Sequence, residues 1–121
     1  MIQSYTDLEV YKRSYKMALT MYQYTKKLSR DERFGLISQI QRASLSIPLN
    51  IAEGYGKKSS VSEFKRFLIM SLGSCNEMSV LIEFCKDLGY LPIPEYESYQ
   101  GEYKEIGKML NGLVSKWQSN I

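Results

Sequence analysis

Apolar positions along the chain recur at steps of three and four residues, the spacing of amphipathic helices rather than of strands. Leu8, Tyr11, Tyr15, Ala18, Leu19 and Tyr22 trace one helical face, and Val10, Met17, Met21, Tyr24 and Leu28 trace a neighbouring one. Thr6-Asp7-Leu8-Glu9 has capping-box spacing and predicts the start of this first helix at Thr6. A second box, Ser29-Arg30-Asp31-Glu32, opens a second helix with the stripe Phe34, Ile37, Ile40, Ser44, Ile47 and Ile51, widened by Leu36, Ala43, Leu45 and Ala52. Pro48 lies inside it and releases the Ser44 carbonyl, which predicts a kink rather than two helices. Gly54-Tyr55-Gly56 ends it.

Ser60-Val61-Ser62-Glu63 caps a third helix. Val61, Phe64, Leu68, Leu72, Cys75, Met78, Ile82 and Cys85 form its main stripe, and Phe67, Met70, Leu81, Phe84 and Leu88 a second. Gly73-Ser74 removes bulk near its middle, which predicts a close approach by a neighbour. Gly89 suits a helix C-terminus, and Pro92 and Pro94 prevent continuation. In the last segment Tyr96, Tyr99, Tyr103, Ile106, Leu110, Leu113 and Trp117 keep helical spacing despite Gly101, Gly107 and Gly112, each costing about 1 kcal/mol against Ala. Its other faces are polar, so it packs on one side only. Short connectors make neighbouring helices antiparallel. The expected fold is all-α, an antiparallel up-down four-helix bundle formed as one domain by residues 1–121. The double stripes of helices 1 and 3 exceed what one bundle buries, which points to a homo-oligomer.

Composition removes function classes. The 121 residues contain no histidine, so His-based catalysis and the Glu-x-x-His metal sites of helical bundles are excluded. Cys75 and Cys85 stand roughly 15 Å apart along one helix, too far for a disulfide, and read as buried apolar side chains. No cofactor or metal is implied. Gly54-Tyr55-Gly56-Lys57-Lys58-Ser59-Ser60 fails the phosphate-loop pattern, because Ile51 occupies its first glycine position and a helix precedes it.

The net charge of +3 is unevenly placed. Residues 1–60 hold 10 basic and 5 acidic side chains, and residues 61–121 hold 6 and 8. Lys12, Lys16, Lys26 and Lys27 occupy the polar remainder of helix 1. Lys57 and Lys58 precede the free N–H groups that start helix 3, with Lys65 and Arg66 within two turns. Such residues suit a nucleic-acid backbone, RNA or DNA, bound with strong salt dependence. A solvated surface is the alternative. Glu53 and Glu77 lie in apolar helices, where Gln39, Arg42 and Asn50 are available partners; a buried polar network fixing helix register is expected, with a catalytic carboxylate pair as the alternative. Met1-Ile2-Gln3-Ser4-Tyr5 lacks a signal-peptide pattern, and apolar runs such as Phe67-Leu68-Ile69-Met70 fall short of a membrane span, so a cytoplasmic protein without membrane contact is expected.

Ser38-Gln39-Ile40-Gln41-Arg42-Ala43 and Ser46-Ile47-Pro48-Leu49-Asn50-Ile51-Ala52-Glu53-Gly54 resemble the four-helix-bundle family encoded in 23S rRNA intervening sequences. Tyr5-Thr6-Asp7-Leu8-Glu9-Val10-Tyr11, Glu63-Phe64-Lys65-Arg66-Phe67-Leu68 and Leu88-Gly89-Tyr90-Leu91 extend the resemblance over roughly residues 5–91. The chain departs from the pattern at Gln41, where a basic residue is common, and at Leu49, where a small polar one is. The resemblance implies homopentamers and no established enzymatic activity. Similarity of that family to accessory proteins of diversity-generating retroelements further implies nucleic acid and a reverse transcriptase as partners. A scaffold that binds a partner protein without nucleic acid is the competing expectation.

Overall fold

The computed structural model describes residues 1–117. Among them are four long helices and no strand: α1 (Glu9–Thr25), α2 (Ser38–Tyr55), α3 (Val61–Asp87) and α4 (Ile93–Lys116). The fold is all-α. Short 3₁₀ turns at Tyr5–Asp7 and Arg30–Glu32 precede α1 and α2, and a π-helical turn over Arg33–Ile37 runs straight into α2.

The N-terminal box forms two residues earlier than its spacing predicts. The Ser4 hydroxyl accepts from the Thr6 N–H at 3.3 Å, and the Asp7 carboxylate accepts from the Gln3 and Ser4 N–H groups at 2.8 and 3.1 Å. Ser4-x-x-Asp7 therefore outcompetes Thr6-x-x-Glu9 and caps the 3₁₀ turn, while α1 starts after an extended, buried Leu8 with no side-chain cap. Ser29 accepts from the Asp31 N–H at 3.2 Å but caps only the 3₁₀ turn. Ser60 caps α3 through the Glu63 N–H at 3.3 Å, as predicted. Gly89 takes φ 81° just beyond α3, where a side chain would be strained. Helix α2 passes through a buried Pro48 without dividing.

Helix α1 packs on α2 and α4, and α3 packs on the same two helices. Their shared core holds Met21, Ile40, Ile47, Ile51, Phe64, Leu68, Met78, Tyr103, Ile106 and Leu110, all nearly or fully buried. Of the two α1 stripes, the one through Val10, Met17, Met21 and Tyr24 faces this core, whereas Tyr15, Leu19 and Tyr22 of the other are exposed. The second α3 stripe splits: Phe67 and Leu81 are buried, and Met70, Phe84 and Leu88 are not. Phe34, expected in the α2 stripe, is 91% exposed, because the wider π turn changes the rotation per residue and buries Leu36 instead. Both cysteines are free and buried, and burial pushes the Cys75 thiol up to about 12.

Close approach between α2 and α3 occurs at Gly54, not at Gly73. A Cβ on Gly54 would lie 2.6 Å from Phe67 Cβ, whereas one on Gly73 meets nothing within 4 Å. Ser74 nevertheless reaches Ser46 of α2 through a hydroxyl–hydroxyl bond. By length and composition alone α3 is apolar enough to cross a membrane, with mean hydropathy 1.3 over its best window. This exceeds what the short apolar runs suggest, and in the fold its buried apolar residues belong to the shared core.

Candidate nucleic-acid interface

Local packing gathers three chain segments at one end of the molecule. The Phe64 ring at the start of α3 meets the Trp117 ring edge-on at 4.7 Å. Glu9 and Val10 of α1 share an apolar cleft with Met109, Leu113 and Lys116 of α4. The α2–α3 turn, carrying Lys57 and Lys58, joins them because it leads directly into α3.

This end therefore holds Lys12, Lys57, Lys58, Lys65 and Arg66 of the predicted set, whereas Lys16 lines a cleft with Ser98, Tyr99 and Glu102 farther along the bundle. Lys65 is half-buried and the others are exposed. Lys26 and Lys27 are exposed too, but they follow the last turn of α1, roughly 20 Å along the axis from Lys12. One continuous surface does not include all eight. In their place α4 contributes Lys116, which is exposed. Sequence reasoning missed this lysine, since residues 61–121 are net acidic; its position in the last turn of the last helix was the available signal.

Aromatic rings preset several of these cations. Lys57 Nζ lies 5.3 Å and the Arg66 guanidinium carbon 4.6 Å from the centre of the Phe67 ring, while Lys58 Nζ lies 4.4 Å from that of Tyr55. Arg66 also donates twice to Glu63, at 3.1 and 3.2 Å, which raises its pKa and lowers that of the carboxylate. Its charge is thus partly neutralised. The expected free N–H groups at the start of α3 are fewer than predicted, because Ser60 occupies one of them.

The expected buried polar network does not form within the chain. Gln39, Arg42 and Glu53 are exposed, and Asn50 is half-buried. Arg42 pairs with Glu77 across α2 and α3 at the solvent-facing edge, and Asn50 donates to the Ser46 carbonyl at 2.9 Å. Long charged side chains reach water from a helix flank, so no buried partner is required. Buried polar groups are hydroxyls instead: Ser71 donates to the Ile47 carbonyl of α2 at 3.0 Å, Ser44 to Gln41 at 3.3 Å, and Thr25 to Tyr22 at 2.8 Å. A further cross-link is the two-pronged bond from Arg13 of α1 to Glu102 of α4, with both contacts at 2.8 Å. It raises the Arg13 pKa and lowers that of Glu102.

Midway along the bundle, Asn76, Ser79, Gln100, Lys104, Lys108 and Asn111 line an open groove of about 330 Å³ between α3 and α4. No cluster of three acidic or cysteine side chains able to hold a metal ion occurs among the described residues.

The 23S rRNA-intervening sequence protein family matches residues 6–112. The chain belongs to that family. The match includes most of α4, beyond the segment whose motifs carry the resemblance in sequence. A solved protein of unknown function from the S23 ribosomal protein family of Bacteroides thetaiotaomicron VPI-5482 is similar in fold, with a TM-score of 0.79. Its sequence is 25% identical, and the alignment covers 88% of this chain and 99% of that one. A comparison with curated proteins gave no match.

Proposed function

We propose that this family member is a non-enzymatic, homo-oligomeric accessory protein that binds an RNA or DNA backbone through the basic end of its bundle. The observation that carries this reading is the convergence of Lys12, Lys57, Lys58, Lys65 and Lys116, from all parts of the chain, on one end. Phosphates spaced along a backbone reward such a scattered set of exposed ammonium groups, which position without reading sequence.

An antiparallel up-down arrangement with a kink at Pro48 belongs to the same proposal. It is supported by contact pairs whose numbers rise along one helix as they fall along the next: Arg42 with Glu77 and Ile47 with Ser71, then Cys75 with Tyr103 and Ser79 with Gln100. A pentamer, a cytoplasmic location and a reverse transcriptase-type partner complete the proposal. Their support is the family resemblance.

The test is fluorescence-anisotropy titration of a structured RNA and a DNA duplex at low and moderate salt. Six phosphate contacts predict an affinity loss of about 10³-fold between 50 and 200 mM salt. The Lys57→Ala/Lys58→Ala variant weakens binding and lowers the salt slope by about two. Absence of binding at low salt, or binding indifferent to salt, sinks the reading. A second reading, a scaffold for a partner protein, is favoured by the exposed apolar residues of α1, α2 and α3. Capture of a protein partner that survives nuclease treatment, with no RNA or DNA bound at low salt, would favour it.

A further inference from the structure

The groove of about 330 Å³ between α3 and α4 lies at the small end of the range for pockets that hold one small ligand. Two contacts set its register: Cys75 Sγ lies 3.9 Å from the Tyr103 carbonyl oxygen, and Gln100 Nε2 donates to the Ser79 carbonyl at 2.8 Å. Asn76, Ser79 and Gln100 therefore share one half of the groove, and Lys104, Lys108 and Asn111 follow in the other. The buried Cys75 and Tyr103, with the half-buried Leu72, make an apolar floor. Gly107 keeps the cationic half open, since a Cβ there would meet nothing within 4 Å.

The charge of this groove is uncompensated. Two other lysine-bearing clefts carry their own carboxylate, Glu9 beside Lys116 and Glu102 beside Lys16. No carboxylate of the described residues lines the α3–α4 groove. The acidic side chains next in sequence to Asn76 and Lys104 turn elsewhere: Glu77 pairs with Arg42 of α2, and Glu105 joins Glu102 in raising the pKa of Arg13 on α1. Lys104 and Lys108 are exposed, and neither is ion-paired among the described residues. Four residues apart on a helix, their Cβ atoms stand about 5–6 Å apart and their like charges repel. A bound dianion bridges the two and relieves that repulsion.

We propose that this groove binds a single phosphorylated nucleoside, its phosphate between Lys104 and Lys108 and the edge of its base against Asn76, Ser79 and Gln100. The proposal goes beyond the backbone reading above and does not rest on it. Carboxamides offer a donor and an acceptor side by side, the pairing that base edges need. The bond to Ser79 holds Gln100 in place and leaves its Oε1 and second N–H for that edge. The Asn111 carboxamide adds an N–H donor to the phosphate half. A base also covers the apolar floor, which a free phosphate or a sugar phosphate would leave in water.

Titration of the full chain with adenosine monophosphate, followed by NMR of the backbone and side-chain amides, tests the proposal. The Asn76, Gln100, Gly107 and Asn111 signals shift together, with a millimolar or tighter Kd. Adenosine, which lacks the phosphate, and ribose phosphate, which lacks the base, each bind about tenfold or more weakly. Lys104→Gln/Lys108→Gln loses about tenfold in affinity. Gly107→Leu fills the groove, favours the helix and abolishes the shifts. Circular dichroism confirms that both variants keep their helices. Unmoved groove signals at about 10 mM nucleotide overturn the proposal. So does ribose phosphate that binds as tightly as the nucleotide, or an affinity lost in Lys57→Ala/Lys58→Ala rather than in Gly107→Leu, which puts the nucleotide at the basic end. A short oligoadenylate separates the two sources of the ligand: if it displaces the nucleotide, the groove takes one unit of a strand, and if it does not, a free nucleotide. Loss of salt-dependent RNA binding would remove the backbone reading and leave these shifts in place.

Discussion

Replacing Gly54 by alanine tests how closely α2 lies on α3. The added Cβ would stand 2.6 Å from Phe67 Cβ and 3.1 Å from Phe64 Cδ1. Carbon atoms prefer about 3.5–4.0 Å, so the first contact demands a retreat of roughly 1 Å. No rotamer change supplies it, because a Cβ moves only with its own backbone. The two helices must separate, and the contacts of Ile47, Ile51, Phe64 and Leu68 loosen with them. Overpacking of this kind costs about 1–3 kcal/mol, and the rigid partner atom puts Gly54 at the upper end. Better helix propensity returns about 1 kcal/mol. The expected net loss is about 2 kcal/mol, or roughly 10 °C in Tm for a chain of this length. Urea unfolding followed by circular dichroism, at matched protein concentration, reads this directly. Gly101→Ala is the control, since its Cβ meets nothing within 4 Å and should stabilise by up to about 1 kcal/mol. If both variants gain stability alike, the close α2–α3 approach is wrong.

Three more outcomes follow from single groups. Tyr103 is fully buried and its hydroxyl has no hydrogen-bond partner among the described residues, so Tyr103→Phe should raise stability by about 1 kcal/mol in the same unfolding assay; a comparable loss would show that the hydroxyl is paired. Arg13 holds the Glu102 carboxyl below its ordinary value of 4.5, and a lowered carboxyl contributes stability above its unfolded pKa that disappears as pH falls through the folded one. The stability difference between wild type and Glu102→Gln should therefore be full at pH 7 and shrink below about pH 4.5, and a difference constant to pH 3 would refute the pairing. Cys75 and Cys85 are buried with raised pKa values, so a thiol reagent at pH 8 should modify neither in the native protein and both in urea. Rapid native labelling would mean that the core opens.

The stripe spacing, Ser60 as a cap, and the Gly56 and Gly89 terminators were legible because helix formation and capping depend on neighbours within about four residues. The last helix was legible despite three glycines, since one regular stripe, whose Tyr103, Ile106 and Leu110 are buried, outweighs their propensity cost. Ser4 displacing Thr6 was harder to foresee: two boxes overlap, and the buried Leu8 decides between them. The candidate site was half legible. Lysines can be counted along a chain, but Lys16, Lys26 and Lys27 leave the set and Lys116 enters it only when the helices are placed side by side.

The sequence by itself therefore determined four helices, the Ser60 cap of α3, two buried thiols and the absence of histidine chemistry, all properties of residue type and short-range spacing. Only the tertiary structure decided which of two apolar stripes on α1 and α3 meets the core, because periodicity states that a face is apolar and not what covers it. It also decided that Gly54 rather than Gly73 admits the neighbouring helix, and that Arg42 and Glu77 pair in water rather than in a buried network. Those outcomes depend on how far apart the helix axes lie, a quantity set by all the packed side chains together.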